Sequence, residues 1–179
     1  IAVHAGQGGA VLGICGGLQM LGEALIDTHG IDGNGPGLGL LPLVTMFEPV
    51  KTVKRTQTCF LGPSHAAFGL TGGLMVPNAH KSAPGQPERG WGAGNSAPWA
   101  ALAGVSVSGY EIHHGQTAQH PAMARSGDVA RVVLPDGLGW CNGTGNVLGV
   151  YLHGLFEGPA VLRALFGTDV PTLDSVFDG

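Results

Sequence analysis

Charge is scarce in this 179-residue chain: Asp, Glu, Lys and Arg make up 11% of it, against about a quarter in an ordinary globular domain. Eight Lys and Arg lie scattered among twelve acids, giving a formal net charge of −4 and no basic stripe, so a nucleic-acid partner is not expected. Long apolar runs are missing too. The longest weakly polar stretch, residues 10–21, falls short of the ~20 residues that cross a bilayer, and no charged segment precedes an apolar one at the start. A soluble, cytoplasmic chain without a membrane partner is expected. The three cysteines, Cys15, Cys59 and Cys141, show no C-x-x-C spacing, which argues against a disulfide framework or a zinc ribbon and fits a reducing compartment. His113, His114 and His120 share no ligand spacing with Cys141, so no metal is expected. The run GIDGNGPGLG, residues 30–39, has Leu38 where a G-x-G-x-x-G beginning at Gly33 needs its third glycine, and no Lys-Ser/Thr follows it. It is a loop rather than a nucleotide fingerprint.

What the chain does have is glycine, 33 residues, more than twice the usual ~7%, beside an ordinary apolar fraction of 44%. That balance suits a loop-rich α/β domain. The pattern predicts the end of a helix and a glycine turn over residues 1–10, a buried strand over Val11–Ile14 and a helix over Gly16–Ile26 closed by Asp27-Thr28-His29-Gly30. Strands are predicted over 40–47, 50–60, 105–117, 129–134, 139–141 and 147–152, and a last helix over 160–166 with Pro159 in its first turn. Between Leu74 and Trp99 the composition turns to Pro, Gly, Ala, Ser and Asn, which predicts a surface insertion.

The stretch Val11-Leu12-Gly13-Ile14-Cys15-Gly16-Gly17-Leu18-Gln19 carries the chemistry. Cys15 stands between a strand and a helix in a G-x-nucleophile-x-G frame, whose small residues tolerate a strained turn that exposes a reactive atom. At a helix N-terminus the free N–H groups favour a thiolate, and the Gly16 N–H is placed to stabilise an oxyanion forming beside the sulfur. The competing reading is a buried packing cysteine. Gln19, one helical turn on, is either a ligand-facing amide or an ordinary half-exposed helix residue.

A second stretch, Asn146 to Glu157, ends an apolar strand at His153. If the two strands are parallel neighbours, Cys15 and His153 emerge on one sheet edge, the basic unit of cysteine nucleophile catalysis. Between them, Gly109-Tyr110-Glu111-Ile112-His113 alternates, with Glu111 and His113 on one face and Tyr110 and Ile112 on the other. Glu111 and His113 suit a ligand pocket, a domain interface or a structural polar cluster.

These three boxes, in this order and separation, resemble the glutamine amidotransferase domain of the cobyric acid synthase family, the cobalamin-pathway branch of the class I amidotransferases. The middle box separates it from the related cobyrinic acid a,c-diamide synthases, where G-H-E-F-H is usual. The resemblance implies a three-layer, flavodoxin-like α/β fold with a mixed, mainly parallel sheet, here without its first strand and without the ATP-binding synthetase domain expected before it. It implies that Cys15 attacks the side-chain amide of glutamine, that His153 transfers the proton, and that ammonia passes to the synthetase domain for amidation of a corrinoid. ATP and Mg²⁺ then belong to that domain, with no cofactor in this chain. Class I triads carry Glu two residues after the histidine, where this chain has Leu155, so a Cys-His dyad is expected, with Glu157 as a weaker candidate to orient the imidazole. A segment lacking those parts is expected to be a poor glutaminase alone. Two other readings stay open, a non-catalytic interaction module and a cysteine peptidase or esterase on a similar sheet.

Overall fold

The computed structural model describes residues 1–62 and 97–167. Nearly all of the predicted surface insertion lies outside these residues. Its last residue, Trp99, is partly buried and donates its indole N–H to the Asn146 carbonyl at 3.0 Å.

The chain opens with helix α1 (Ala2–Gly6), strand β1 (Val11–Ile14) and helix α2 (Gly16–Leu21). Strands β2 (Ala24–Ile26), β3 (Gly35–Pro36), β4 (Leu43–Cys59) and β5 (Ser106–Gln119) follow, with a 3₁₀ turn at Ala100–Leu102 before β5. Helix α3 (Pro121–Arg125), strands β6 (Arg131–Leu134), β7 (Gly139–Cys141) and β8 (Val147–Val150), and helix α4 (Pro159–Phe166) complete the described order. One sheet runs β1-β8-β7-β6 and the other β3-β2-β4-β5. This is the mixed α/β architecture expected. The predominance of parallel strands is not seen: among the described residues only β1–β8 and β2–β4 pair in parallel, and the other four ladders are antiparallel. The tight turns at Pro135-Asp136-Gly137 and at 142–146 leave room only for antiparallel returns, because a parallel crossover needs a dozen residues or more.

The packing of α2 fixes the site-bearing pair. Gly13 of β1 and Gly149 of β8 are register partners. A Cβ on Gly13 would stand 2.6 Å from the Gly17 backbone, and one on Gly149 would stand 2.4 Å from Leu18. The two glycines form a slot in which α2 lies directly on the strands, and Leu18, Leu148 and Val150 are fully buried there.

Three predicted elements change, and the strand predicted over 147–152 ends at Val150. The helix expected over Gly16–Ile26 stops at Leu21, and Ala24–Ile26 is strand β2 instead. Gly22 ends the helix in extended conformation, and the Glu23 N–H is captured by the Leu43 carbonyl at 2.7 Å, so pairing with β4 overrides helical spacing. Asp27 therefore closes no helix. Its carboxylate accepts the N–H groups of His29, Asp32 and Gly33 at 2.7–2.9 Å and folds the following loop around itself. The strands predicted over 40–47 and 50–60 are one long strand, β4, whose register with β5 slips between Phe47 and Thr52. Residues 48–51 bulge there opposite His114, and Pro49, which has no N–H for the ladder, lies within the bulge.

Candidate active site

Cys15 follows the last residue of β1 and caps α2 with φ 53° and ψ −110°, a left-handed conformation that costs a non-glycine residue about 1–3 kcal/mol. The strain is held in place by neighbours on both sides. The Cys15 N–H extends the ladder to the Val150 carbonyl at 2.8 Å, and the Cys15 carbonyl accepts the Gln19 N–H at 3.2 Å. The half-buried thiol donates to the Ile112 carbonyl of β5 at 3.5 Å.

Because Ile14 is opposite Val150 in a parallel register, Tyr151 stands opposite Cys15 and His153 two residues further along. Cys15 and His153 thus leave adjacent parallel strands at the same sheet edge, as the two boxes predict. Strand β5 crosses that edge and touches both residues. Tyr110 and His153 form an antiparallel bridge that joins the two sheets, while Ile112, two residues on, covers the sulfur. Among the described residues no hydrogen bond joins the thiol to the imidazole. His153 Nε2 is buried without a hydrogen-bond partner.

The electrostatics of the thiol differ from the sequence reading. Burial pushes the Cys15 pKa up, and this outweighs the downward pull of the Gly16 N–H and of the Lys51 ammonium from the β4 bulge. With only six residues, α2 adds little dipole to oppose desolvation. Gly16 itself is exposed, and its N–H acts on the sulfur to lower the thiol pKa.

The face of β5 below the edge holds the other predicted residues. Glu111 and His113 point inward and are buried, whereas Tyr110 and Ile112 are exposed, the alternation expected of a strand. The Glu111 carboxylate accepts from the Thr56 hydroxyl and pairs with Lys54 Nζ at 3.2 Å. His113 Nδ1 lies 2.7 Å from the Gly115 carbonyl, which assigns the proton to that nitrogen. Its Nε2, 3.7 Å from Glu111, is buried and makes no hydrogen bond. Gln19 is buried next to them, and a Cβ on Gly115 would stand 2.3 Å from its amide nitrogen. Glu157 is exposed and turns back on Gly154, where its carboxylate lies about 3.1 Å from the position of an added Cβ. It makes no hydrogen bond to the His153 ring among the described residues. Leu155 is 1% exposed and belongs to the core.

Tyr151 escaped the sequence reading. Its ring stacks on His113, with centroids 3.8 Å apart and planes at 21°, and its hydroxyl meets Thr117 at 2.6 Å and the Gln19 amide at 3.4 Å. Burial pushes its phenol pKa up, so it stays protonated. The signal was available in retrospect: Tyr151 lies two residues before His153, one register step past the end of the ladder.

Residues 1–161 match the family of CobB/CobQ-like glutamine amidotransferase domains. The chain belongs to that family. It is 60% identical over its whole length to a cobyric acid synthase of Polaromonas naphthalenivorans (strain CJ2), and 62% identical to those of Acidovorax sp. (strain JS42) and Acidovorax ebreus (strain TPSY). It covers 29–30% of each of those proteins, so the amidotransferase chain spans under a third of the curated relatives it matches. In this amidotransferase domain the strained cysteine, the Tyr110–His153 bridge and the buried Gln19–Tyr151–His113 cluster converge on one sheet edge.

Proposed function

We propose that this domain hydrolyses glutamine through Cys15 and His153 and supplies the ammonia to an ATP-dependent synthetase part of the same protein, which amidates adenosylcobyrinic acid a,c-diamide to cobyric acid in cobalamin biosynthesis. The observation that carries the reading is the parallel register of β1 and β8, which brings both side chains to one edge. His153 takes the proton of the Cys15 thiol as the sulfur adds to the side-chain carbonyl carbon of glutamine, and the Gly16 N–H steadies the oxyanion. The C–N bond breaks as the His153 imidazolium gives its proton to the departing ammonia, leaving a glutamyl thioester. His153 then takes a proton from water, which cleaves the thioester to glutamate and the free thiol. Gln19, Glu111 and His113 serve the glutamine side of this site. Ammonia attacks only when neutral, so delivery inside the protein avoids its conversion to ammonium in bulk water.

ATP and Mg²⁺ are assigned to the synthetase part and the corrinoid reaches this domain only through it. The protein is assigned to the cytoplasm. No helix of the described residues is long and apolar enough to cross a membrane.

The experiment is incubation of the full natural polypeptide carrying these residues with a diazo-ketone analogue of glutamine, followed by peptide mapping. Selective labelling of Cys15, blocked by glutamine, is expected. Absence of labelling would leave a non-catalytic interaction module, and labelling only by peptide-like or ester-like reagents would make it a peptidase or esterase. Amidation of cobyrinic acid in place of its a,c-diamide would move the assignment to the a,c-diamide synthases.

A further inference from the structure

We propose that Tyr151 is a positioning residue for the substrate: its phenol oxygen holds the Gln19 carboxamide by the N–H end, leaving the Gln19 carbonyl to accept from an N–H group of glutamine. This rests on the reading of the site as a glutamine pocket. The geometry leaves the phenol few other roles. Tyr151 is 2% exposed and stands opposite Cys15, and its ring is clamped against His113. Its oxygen is the end of a chain of hydroxyls, with Thr117 Oγ1 at 2.6 Å and Thr45 Oγ1 another 2.6 Å beyond. A phenol has one proton to give. With that proton on Thr117, the oxygen keeps its lone pairs for the Gln19 Nε2–H at 3.4 Å.

The amide is confined from two other directions. Gln19 sits one turn along α2, its own N–H on the Cys15 carbonyl, and Gly115 supplies the gap its amide nitrogen occupies. Gln19 Oε1 accepts no hydrogen bond among the described residues. A carbonyl oriented in advance beside the nucleophile recognises a donor, and glutamine carries two such groups, its side-chain carboxamide and its α-ammonium. Fixing the acceptor before binding lowers the ordering cost of the complex, so loss of the phenol oxygen weakens glutamine binding rather than slowing the chemistry.

The test is Tyr151→Phe in the full natural polypeptide, which keeps the ring and its stack on His113. The KM for glutamine is expected to rise roughly three- to tenfold, the worth of one hydrogen bond, with the change in KM and not in kcat. Thr117→Val, which leaves the ring untouched, gives a smaller rise in the same direction. Calorimetry on Cys15→Ser, which binds without turnover, gives the same loss of affinity when Tyr151→Phe is added. γ-Glutamyl methyl ester keeps the α-ammonium and has no amide N–H. A KM for the ester unmoved by Tyr151→Phe identifies the carboxamide as the donor, and an equal rise identifies the α-ammonium. An unchanged glutamine KM, or a fall in kcat alone, overturns the inference. Failure of Cys15→Ser to bind glutamine at all would instead overturn the glutamine reading on which it rests.

Discussion

Tyr110 and His153 exchange both of their backbone hydrogen bonds, the His153 N–H to the Tyr110 carbonyl at 2.8 Å and the Tyr110 N–H to the His153 carbonyl at 3.1 Å. His153 lies beyond the end of β8, where a strand end would otherwise fray. The bridge ties it to β5, the same strand whose Ile112 carbonyl receives the Cys15 thiol. In the domain's chemistry as proposed, β5 is the brace that sets imidazole and sulfur relative to one another.

Gly109 is what lets the strands approach this closely. A Cβ there would stand 2.0 Å from the His153 carbonyl oxygen and 2.9 Å from Leu152, both parts of a rigid strand end. Gly109→Ala is expected to push His153 off the bridge and lower glutamine-dependent amidation about 10²-fold, the order of loss that follows misplacement by an ångström. Amidation driven by added ammonium should persist, since it bypasses the site. Parallel assays with the two nitrogen sources on the same preparation check this. Equal loss with both would mean that the protein has simply unfolded.

Much of this was legible in the sequence. The strand end before Cys15 and the alternation around Glu111 and His113 follow from short-range pattern and hold in the structure, whereas the strand read over 147–152 stops at Val150 and leaves His153 beyond it. What depended on tertiary competition was not legible. Residues 24–26 have a helical continuation in sequence, yet the Leu43 carbonyl captures Glu23 and draws them into a sheet. The thiol's environment was misjudged for a similar reason: a helix start is visible in sequence, whereas the burial that outweighs it depends on tertiary packing, in which β5 brings the Ile112 carbonyl to the thiol. The role of Leu155 also needed coordinates. It is core, fixed by packing that residue spacing does not reveal.

The raised Cys15 pKa gives a sign for its reactivity. Since the thiolate is the nucleophile, alkylation by iodoacetamide without glutamine should be slower at neutral pH than that of an unhindered thiol, and should climb with pH past the ordinary thiol range. Lys51→Met removes the cation that pulls the value down, and should slow Cys15 further at each pH. Cys141, buried with its pKa pushed up to about 11, should stay unlabelled while the fold holds. Rates read by mass spectrometry, in a Cys59→Ser background because Cys59 is exposed, decide it. Alkylation of Cys15 with a midpoint near neutrality would contradict the desolvated geometry.

Asp27 predicts an acid-side dependence of stability. Its carboxylate is held at about 2, below its ordinary 3.8, chiefly by the Gly33 N–H, with those of His29, Asp32 and Ile31 adding to it. A depressed folded value means that the ionised form supports the fold: the contribution is complete above about pH 4 and disappears as pH falls through about 2. Asp27→Asn should therefore lower the thermal midpoint near pH 6, and the gap from the parent should close between pH 4 and 2. Thermal scans of both proteins across that range test it. A gap that does not vary with pH would assign the loop's stability to something other than this charge.

The φ of 53° at Cys15 sets catalysis against stability. Left-handed backbone costs a residue with a Cβ about 1–3 kcal/mol and costs glycine almost nothing, but glycine gives back roughly 0.4–1 kcal/mol through the freer unfolded chain. Among the described residues the half-buried sulfur donates one weak hydrogen bond, to the Ile112 carbonyl, and receives a pull from the Gly16 N–H, so little else is lost when it is removed. Cys15→Gly should accordingly stabilise the domain by about 1 kcal/mol while abolishing glutamine hydrolysis, whereas Cys15→Ala abolishes hydrolysis and keeps the strain. Denaturant titration of parent, Ala and Gly variants separates the two effects, because both substitutions delete the thiol and only one relaxes the turn. If Gly proves no more stable than Ala, the elbow is not strained, and its left-handed turn is simply what the β1–α2 connection prefers.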